Sequence, residues 1–370
     1  MTRSIGTWAL AASLMLAACG KDSSGPSGPR NDKVAGHWQY VSGPMVVGAA
    51  VDNLSYPELT ASGAGTLYTN SPKGHGINGC GAISFAALSD TIVAFNIPDF
   101  PDDRGVVTQF YQYALPNADG LTLTDSLGNV TTYKRATQIP ASVTCQPVPV
   151  ATPIAIPDAL RPNYQGLATD ATNLWFSPNN GGAVPLNPTN GTTGGQITFP
   201  VAGQYQFVIA VQGTDFWLMC WCGNNTSLQR RKLNGTLVSS FDLSAAPINR
   251  QFFIRAASHD GANLWVAGYD YNLKKYQLLK LNAEVSPPTV LQAINFDAPV
   301  DGLAFKGGDP WVLSYYVGPV LVDLNTAGVA KTTNALPRGS YYRGLVTVGN
   351  TFYAVRFNSS NADILPIPGL

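Results

Sequence analysis

Three observations predict an all-β protein whose second half is a five-bladed β-propeller. Glycine (37) and proline (27) are plentiful among the 370 residues, which suits many short strands joined by tight turns. The region 34–137 alternates apolar and polar residues with the period of strands and shows no helical periodicity. In the second half one phrase recurs five times: a short apolar run, a polar kink, then an aromatic pair. Its closing aromatics are Trp175, Trp217, Trp265, Trp311 and Tyr353. Their spacings of 42, 48, 46 and 42 residues match the length of one four-stranded blade.

A chain of this length suggests two domains, each able to bury its own core. Lys plus Arg and Asp plus Glu are balanced at 22 each, so no net field recruits nucleic acid or an acidic surface.

The chain opens with a targeting segment, residues 1–18. Arg3 supplies a positive start, Ile5 through Leu14 form a short apolar stretch, and Leu16-Ala17-Ala18-Cys19 follows. The apolar run is too short to span a bilayer of about 30 Å. The segment resembles a bacterial lipoprotein signal, which implies diacylglycerol on Cys19 as the new N-terminus and attachment to a membrane of the cell envelope. An ordinary secretory signal with an incidental cysteine is the alternative. Gly20 after the cysteine, where Asp would resemble an inner-membrane retention signal, points by the same analogy to the outer membrane. Residues 19–33, rich in Ser, Gly and Pro and without aromatic or β-branched residues, read as a flexible tether.

Beyond Cys19 there are four cysteines. Cys80 with Cys145 is the natural pair, joining the middle of the first domain to the segment that leaves it. Cys220 and Cys222 flank Trp221 in a strand, where alternate residues lie too far apart for an unstrained bridge. Either a local bulge brings them together or they stay reduced. His37, His75 and His259 are the three histidines; none has ligand spacing to a cysteine, so no metal site is expected.

The first domain, 34–137, carries Gly36-His37-Trp38, a Gly-rich strand at 62–67, Leu121-Thr122-Leu123-Thr124 and a closing Tyr133-Lys134-Arg135. Asn117-Ala118-Asp119-Gly120 supplies a turn before the Leu-Thr-Leu-Thr segment. This order resembles small lipocalin-like domains of bacterial envelope proteins and implies a β-barrel. In that family the Trp packs across one barrel end, and a basic residue of the last strand covers it by a cation–π contact. Such a barrel either holds a small apolar ligand or is filled by its own side chains.

Residues 138–149 read as a linker and 150–370 as the propeller. A third strand ends at Leu186-Asn187, Leu233-Asn234, Leu281-Asn282 and Leu324-Asn325, and a fourth follows near Gln196-Ile197-Thr198-Phe199, 237–241, 290–294 and 331–333. The fifth copy lacks its fourth strand. Pro153-Ile154-Ala155-Ile156-Pro157 is expected to supply it, pairing beside Asp363 to Ile367 and closing the ring. The blades resemble bacterial propellers of the NHL-like kind, which read Leu-Ala-x-Asp, a Gly or Asn turn, Leu-Trp-Val, then Lys-Leu-Asn.

No catalytic residue is assigned. The repeat places Gln165, Phe207, Arg255, Asp301 and Arg343 at equivalent positions where the inner strands begin. One acid in that ring cannot supply both an acid and a second carboxylate. Arg255 and Arg343 beside Asp301 instead suggest a site for a small polar or anionic ligand, with Gln165 as a fourth candidate, because Arg offers a planar fork to carboxylates. A purely structural Arg–Asp pair is the alternative. Asp170 and Asp260 read as turn formers, and the repeated tryptophans as packing between blades rather than a carbohydrate platform. The sequence contains no Ser/His/Asp arrangement, phosphate loop, zinc-helix motif or calcium loop, so no cofactor is expected. The functional expectation is a lipid-anchored envelope protein with a binding or scaffolding role, its partner an envelope protein or a small ligand. A hydrolase or lyase acting on polysaccharide is the alternative.

Overall fold

The computed structural model describes residues 31–43, 54–70, 78–98, 106–140, 144–157, 160, 162–178, 182–199, 205–222, 225–245, 248, 250–285, 287–296, 298–315, 319–337, 340–357 and 362–370. The expected lipidation site Cys19 and the loop histidine His75 lie outside these residues.

Eight antiparallel strands form a closed barrel: β1 (Gly36–Ser42), β2 (Leu54–Leu59), β3 (Ala64–Asn70), β4 (Asn78–Ala87), β5 (Ile92–Pro98), β6 (Val106–Asn117), β7 (Gly120–Thr124) and β8 (Val130–Ala136). The first strand closes the sheet by pairing with both β2 and β8, which leaves no open edge. Period-2 patterning decides which side chains fill it: Leu121 and Leu123 of β7 are buried while Thr122 and Thr124 between and after them are half-buried. Tyr111, Tyr113, Phe85, Phe95 and Tyr133 complete an aromatic interior, with Phe95 6.0 Å from Phe85 and 5.9 Å from Tyr111 between ring centres.

Trp38 is fully buried, its indole donating to the Val34 carbonyl at 2.8 Å. The Arg135 guanidinium covers the ring with its carbon 4.3 Å from the centroid. That guanidinium also donates to the carbonyls of Ala118 (3.0 Å) and Ala35 (3.1 Å). Residues 31–33, assigned by composition to the tether, instead form a 3-10 turn. Asn31 is buried and accepts the Ala87 amide on Oδ1 at 2.9 Å. A disulfide joins Cys80 on β4 to Cys145, with Cα atoms 6.0 Å apart.

The second part is five sheets. The first holds β11 (Pro162–Thr169), β12 (Leu174–Pro178) and β13 (Val184–Leu186). The second holds β14 (Tyr205–Gln212), β15 (Asp215–Cys222), β16 (Asn225–Lys232) and β17 (Leu237–Asp242), and the third β18 (Phe252–His259), β19 (Leu264–Asp270), β20 (Lys275–Asn282) and β21 (Thr289–Phe296). The fourth holds β22 (Val300–Lys306), β23 (Asp309–Tyr315), β24 (Pro319–Leu324) and β25 (Ala330–Ala335), and the fifth β26 (Tyr341–Val348), β27 (Thr351–Phe357) and β28 (Ala362–Pro368). The inner strands β11, β14, β18, β22 and β26 pack successively around one axis, and β26 returns to β11.

Ring closure follows the expected route: β10 (Ile154–Ala155) pairs antiparallel with β28, Ile154 opposite Ile364 and Ala155 opposite Asp363. Two details differ from the sequence reading. The segment from Gln196 to Phe199 is no regular strand; only Ile197 bridges, to Ala183, because Gly194, Gly195 and the Asn187-Pro188 turn hold the chain close to β13 only at points. The linker also contributes structure, since β9 (Gln146–Pro147) adds in parallel to the outer edge of β25 and gives that blade a fifth strand. Through Cys222 the pairing of β15 with β16 runs in unbroken register; the side chains of Cys220 and Cys222 lie outside the described residues.

Three of the repeated aromatics meet a ring of the next blade, while Trp217 meets Phe241 of its own blade at 5.9 Å. Trp175 meets Phe216 at 4.9 Å, Trp265 meets Phe305 at 5.6 Å and Trp311 meets Phe352 at 4.8 Å between ring centres. In each of these three pairs the Trp of one blade meets a Phe of the next, so these rings serve the core.

Candidate functional site

The inner strands carry their register shifts near the ring of equivalent positions. On β18 the shift falls between Ile254 and Ala256, and on β22 between Val300 and Gly302. Arg255 and Asp301 are therefore the unpaired residues of two adjacent bulges, which turn a side chain out of the regular alternation. On β26 the shift lies between Arg343 and Leu345, at Gly344, whose φ of +63° suits glycine.

These bulges assemble a chain of polar groups from three successive inner strands. Arg255 holds Asp301, with Nε and Nη2 both 2.6 Å from Oδ1. The other Asp301 oxygen accepts the Tyr341 hydroxyl at 3.4 Å. Arg343 donates from Nε to the Tyr341 oxygen at 2.7 Å and lies over its ring, 5.1 Å from the centroid. Arg255 Nη2 reaches the same hydroxyl at 3.3 Å. The Asp301 side chain is 1% exposed and that of Arg255 16%, so this is a desolvated pair rather than a surface contact.

Burial alone works against the Arg255 charge, but the attraction and hydrogen bond of Asp301 more than offset it and hold the guanidinium above its ordinary range. Burial, reinforced by the Asp301 charge, pushes the Tyr341 hydroxyl up to about 12, so it stays protonated as donor to the carboxylate. Burial raises the Tyr276 hydroxyl above its ordinary range, with Arg255 opposing the rise and Asp301 adding to it. From Tyr276 an aromatic path runs outward, 5.0 Å to Tyr269 and then 5.2 Å to the exposed Tyr271.

No protein-family model matches this sequence, and no curated protein matches it. Solved structures with a similar fold include a glutaminyl cyclase from Myxococcus xanthus (9% identity, 60% of this chain and 100% of that one, TM-score 0.43). An aldose sugar dehydrogenase from Streptomyces coelicolor is similar at 11% identity, 60% and 97% coverage and a TM-score of 0.41. An exo-β-1,3-galactanase from Phanerochaete chrysosporium is similar at 11% identity, 60% and 64% coverage and a TM-score of 0.43.

Of the residues singled out from the repeat, Arg255, Asp301 and Arg343 come together. Phe207 is buried in the apolar core of the second and third blades, and Gln165 stands on β11 with its side chain outside the described residues. Tyr341, which links the two arginines, escapes the repeat comparison. Its signal is strand alternation: it stands two residues before Arg343 and shares its face. Asp170 and Asp260 are turn formers, each accepting two backbone amides on Oδ1. Among the described residues no group of three His, Cys, Asp or Glu is placed to hold a metal ion, and no helix is long and apolar enough to cross a membrane.

Proposed function

We propose that this is a lipid-anchored protein of the bacterial cell envelope, held through Cys19 at the outer membrane, whose propeller binds a small polar or anionic ligand beside Arg255, Asp301, Tyr341 and Arg343. The barrel serves as a rigid spacer or docking module. The observation that carries this reading is the convergence of two guanidinium groups, from Arg255 and Arg343, on the Tyr341 hydroxyl beside one buried carboxylate where three inner strands meet. A planar fork stacked on Tyr341 suits a carboxylate or a sugar acid.

Glycoside cleavage with two carboxylates needs a partner for Asp301 at the same depth. The equivalent positions hold Gln165, Phe207, Arg255 and Arg343, and Asp301 is itself committed to Arg255. Binding is therefore the better-supported role.

Titration calorimetry of the full detergent-solubilised chain against monocarboxylates, dicarboxylates and uronic acids tests the site. Arg343→Ala should weaken the best ligand about tenfold or more, the effect of losing about 1.4 kcal/mol. Absence of binding across the panel, or turnover of a glycan that vanishes in Asp301→Asn, overturns the reading. Metabolic labelling with a fatty-acid probe tests the anchor, with label expected on the native chain and lost in Cys19→Ala.

A further inference from the structure

The propeller channel contains a second feature, separate from the Arg255–Asp301 network. Opposite the repeated aromatics, across the β-ladder of each blade, stand Ala168, Ala210, Ser258, Ala304 and Val346. Four of the five are very small. Five inner strands brought together around one axis leave a gap there that such side chains cannot fill, and a cavity of about 140 Å³ results, lined by all five blades. An apolar cavity of about 150 Å³ is large enough to take benzene. The ring positions of Arg255, Asp301 and Arg343 lie three residues earlier on the same strands, about 10 Å away along the channel.

The wall is mixed in character. Phe305, the alanines and Val346 supply the apolar part, and Thr169, Ser258 and His259 the polar part; among the described residues no Asp, Glu, Lys or Arg lines it. The Thr169 hydroxyl is committed to the Asn173 carbonyl at 2.9 Å. His259 accepts the Gly261 amide on Nδ1 at 3.0 Å, which places the proton of the neutral ring on Nε2 as a donor. Burial favours that neutral ring. Thr347 Oγ1 is buried and has no hydrogen-bond partner among the described residues. That oxygen is inaccessible even to a water molecule, so it does not face the cavity, and the Ser258 hydroxyl and His259 are the polar groups left to meet a ligand there.

We propose that this half of the channel is a binding site for a small uncharged molecule of about six to eight heavy atoms, with an apolar body and a hydroxyl or carbonyl. The alanines and Phe305 receive the body, and Ser258 with His259 receives the polar end. An ion is disfavoured because the described wall offers no counter-charge. The site is independent of ligand binding at Arg343.

Phenol and cyclohexanol serve as probes, with benzoate as the charged counterpart, in titrations of the full chain monitored by calorimetry and ligand-observed NMR. Phenol or cyclohexanol should bind at millimolar concentration or tighter, and benzoate about tenfold or more weakly than phenol. Ser258→Ala removes the hydroxyl; it should leave the melting temperature nearly unchanged while weakening the probe about tenfold. Ala210→Leu fills the cavity and should abolish binding in a protein that still melts cooperatively. If it does not fold, Ser258→Ala carries the test alone. Failure of both neutral probes to bind, or binding of equal strength in Ser258→Ala, overturns the proposal, as does a crystal soaked in phenol that shows only ordered water in the cavity.

Discussion

The indole N–H of Trp265 donates to Asp260 Oδ2 at 2.8 Å, and the same relation joins Trp175 to Asp170 at 2.8 Å. In the second blade Gln212 takes the acid's place, accepting from Trp217 at 3.0 Å. Each acceptor stands five residues before its tryptophan, at the end of the inner strand. Asp260 accepts the amides of Ala262 and Asn263 on its other oxygen, so one carboxylate shapes the turn and fixes the ring that packs against the next blade.

Although burial works against it, the Asp260 carboxyl is held at about 2, below its ordinary 3.8, by the Trp265 indole, the two turn amides and nearby Lys280. The folded protein thus binds this proton less readily than the unfolded chain. The contribution of Asp260 is fully present above pH 3.8 and is lost as pH falls through about 2. Asp260→Asn should lower stability at neutral pH by about 1–3 kcal/mol and flatten the acid limb of a urea-denaturation series between pH 5 and 2. An unchanged acid limb would show that the turn, not the charge, is what matters.

In the barrel, Arg135 over Trp38 joins the last strand to the first. Gly36 has a φ of +145°, and a side chain there would collide with the Arg135 guanidinium, which explains the glycine two residues before the tryptophan. Arg135→Met keeps the apolar stem and removes the charge and both carbonyl contacts. It should cost about 1–3 kcal/mol, read as a drop in melting temperature, with a change in Trp38 fluorescence as the ring loses its cover.

The blade repeat is legible in the sequence because inter-blade packing demands an aromatic at one fixed place, and strand length fixes the interval. Ring closure by Ile154 and Ala155 is legible for a related reason: the last blade has one strand too few. Tyr341 is not, because repeat comparison looks only at equivalent positions, whereas the network crosses between a ring position and its neighbour two residues away. The cavity is hidden for the opposite reason. Alanine at 168, 210 and 304 is an ordinary strand residue, and only the assembly of five inner strands turns small size into empty space. The parallel addition of Gln146–Pro147 to β25 rests on two residues, too short for any periodicity to show.

The Cys80–Cys145 bridge encloses a loop of 65 residues and ties the barrel wall to the segment entering β9. Closing a loop of that length removes about 4 kcal/mol of unfolded-chain entropy. Cys145→Ser should therefore lower the melting temperature of the barrel transition, and reductant should do the same to the native chain but nothing further to the variant. Equal melting of the native chain with and without reductant would show the bridge to be thermodynamically idle.

Ring closure rests on two paired strand residues, on the Ala151 amide donating to the Pro366 carbonyl at 3.0 Å, and on the apolar contacts of Ile154 and Ile156. Ile154 packs against the core formed by the first, fourth and fifth blades, opposite the fully buried Ile364. Releasing β10 has two consequences. The apolar surface of Ile364 and its neighbours loses cover, and the outer edge of β28 is left with unpaired amides and carbonyls, a template for another chain. Ile154→Asp introduces a charge at this seam and should cost about 2–4 kcal/mol, as a lost buried aliphatic group does. It should also promote self-association, measured by light scattering after size-exclusion chromatography. Ile154→Val trims one methylene and should cost about 0.5–1.5 kcal/mol without association. If Ile154→Asp lowers stability and the protein stays monomeric, the β28 edge is protected by something other than β10, and the ring is closed by packing rather than by pairing.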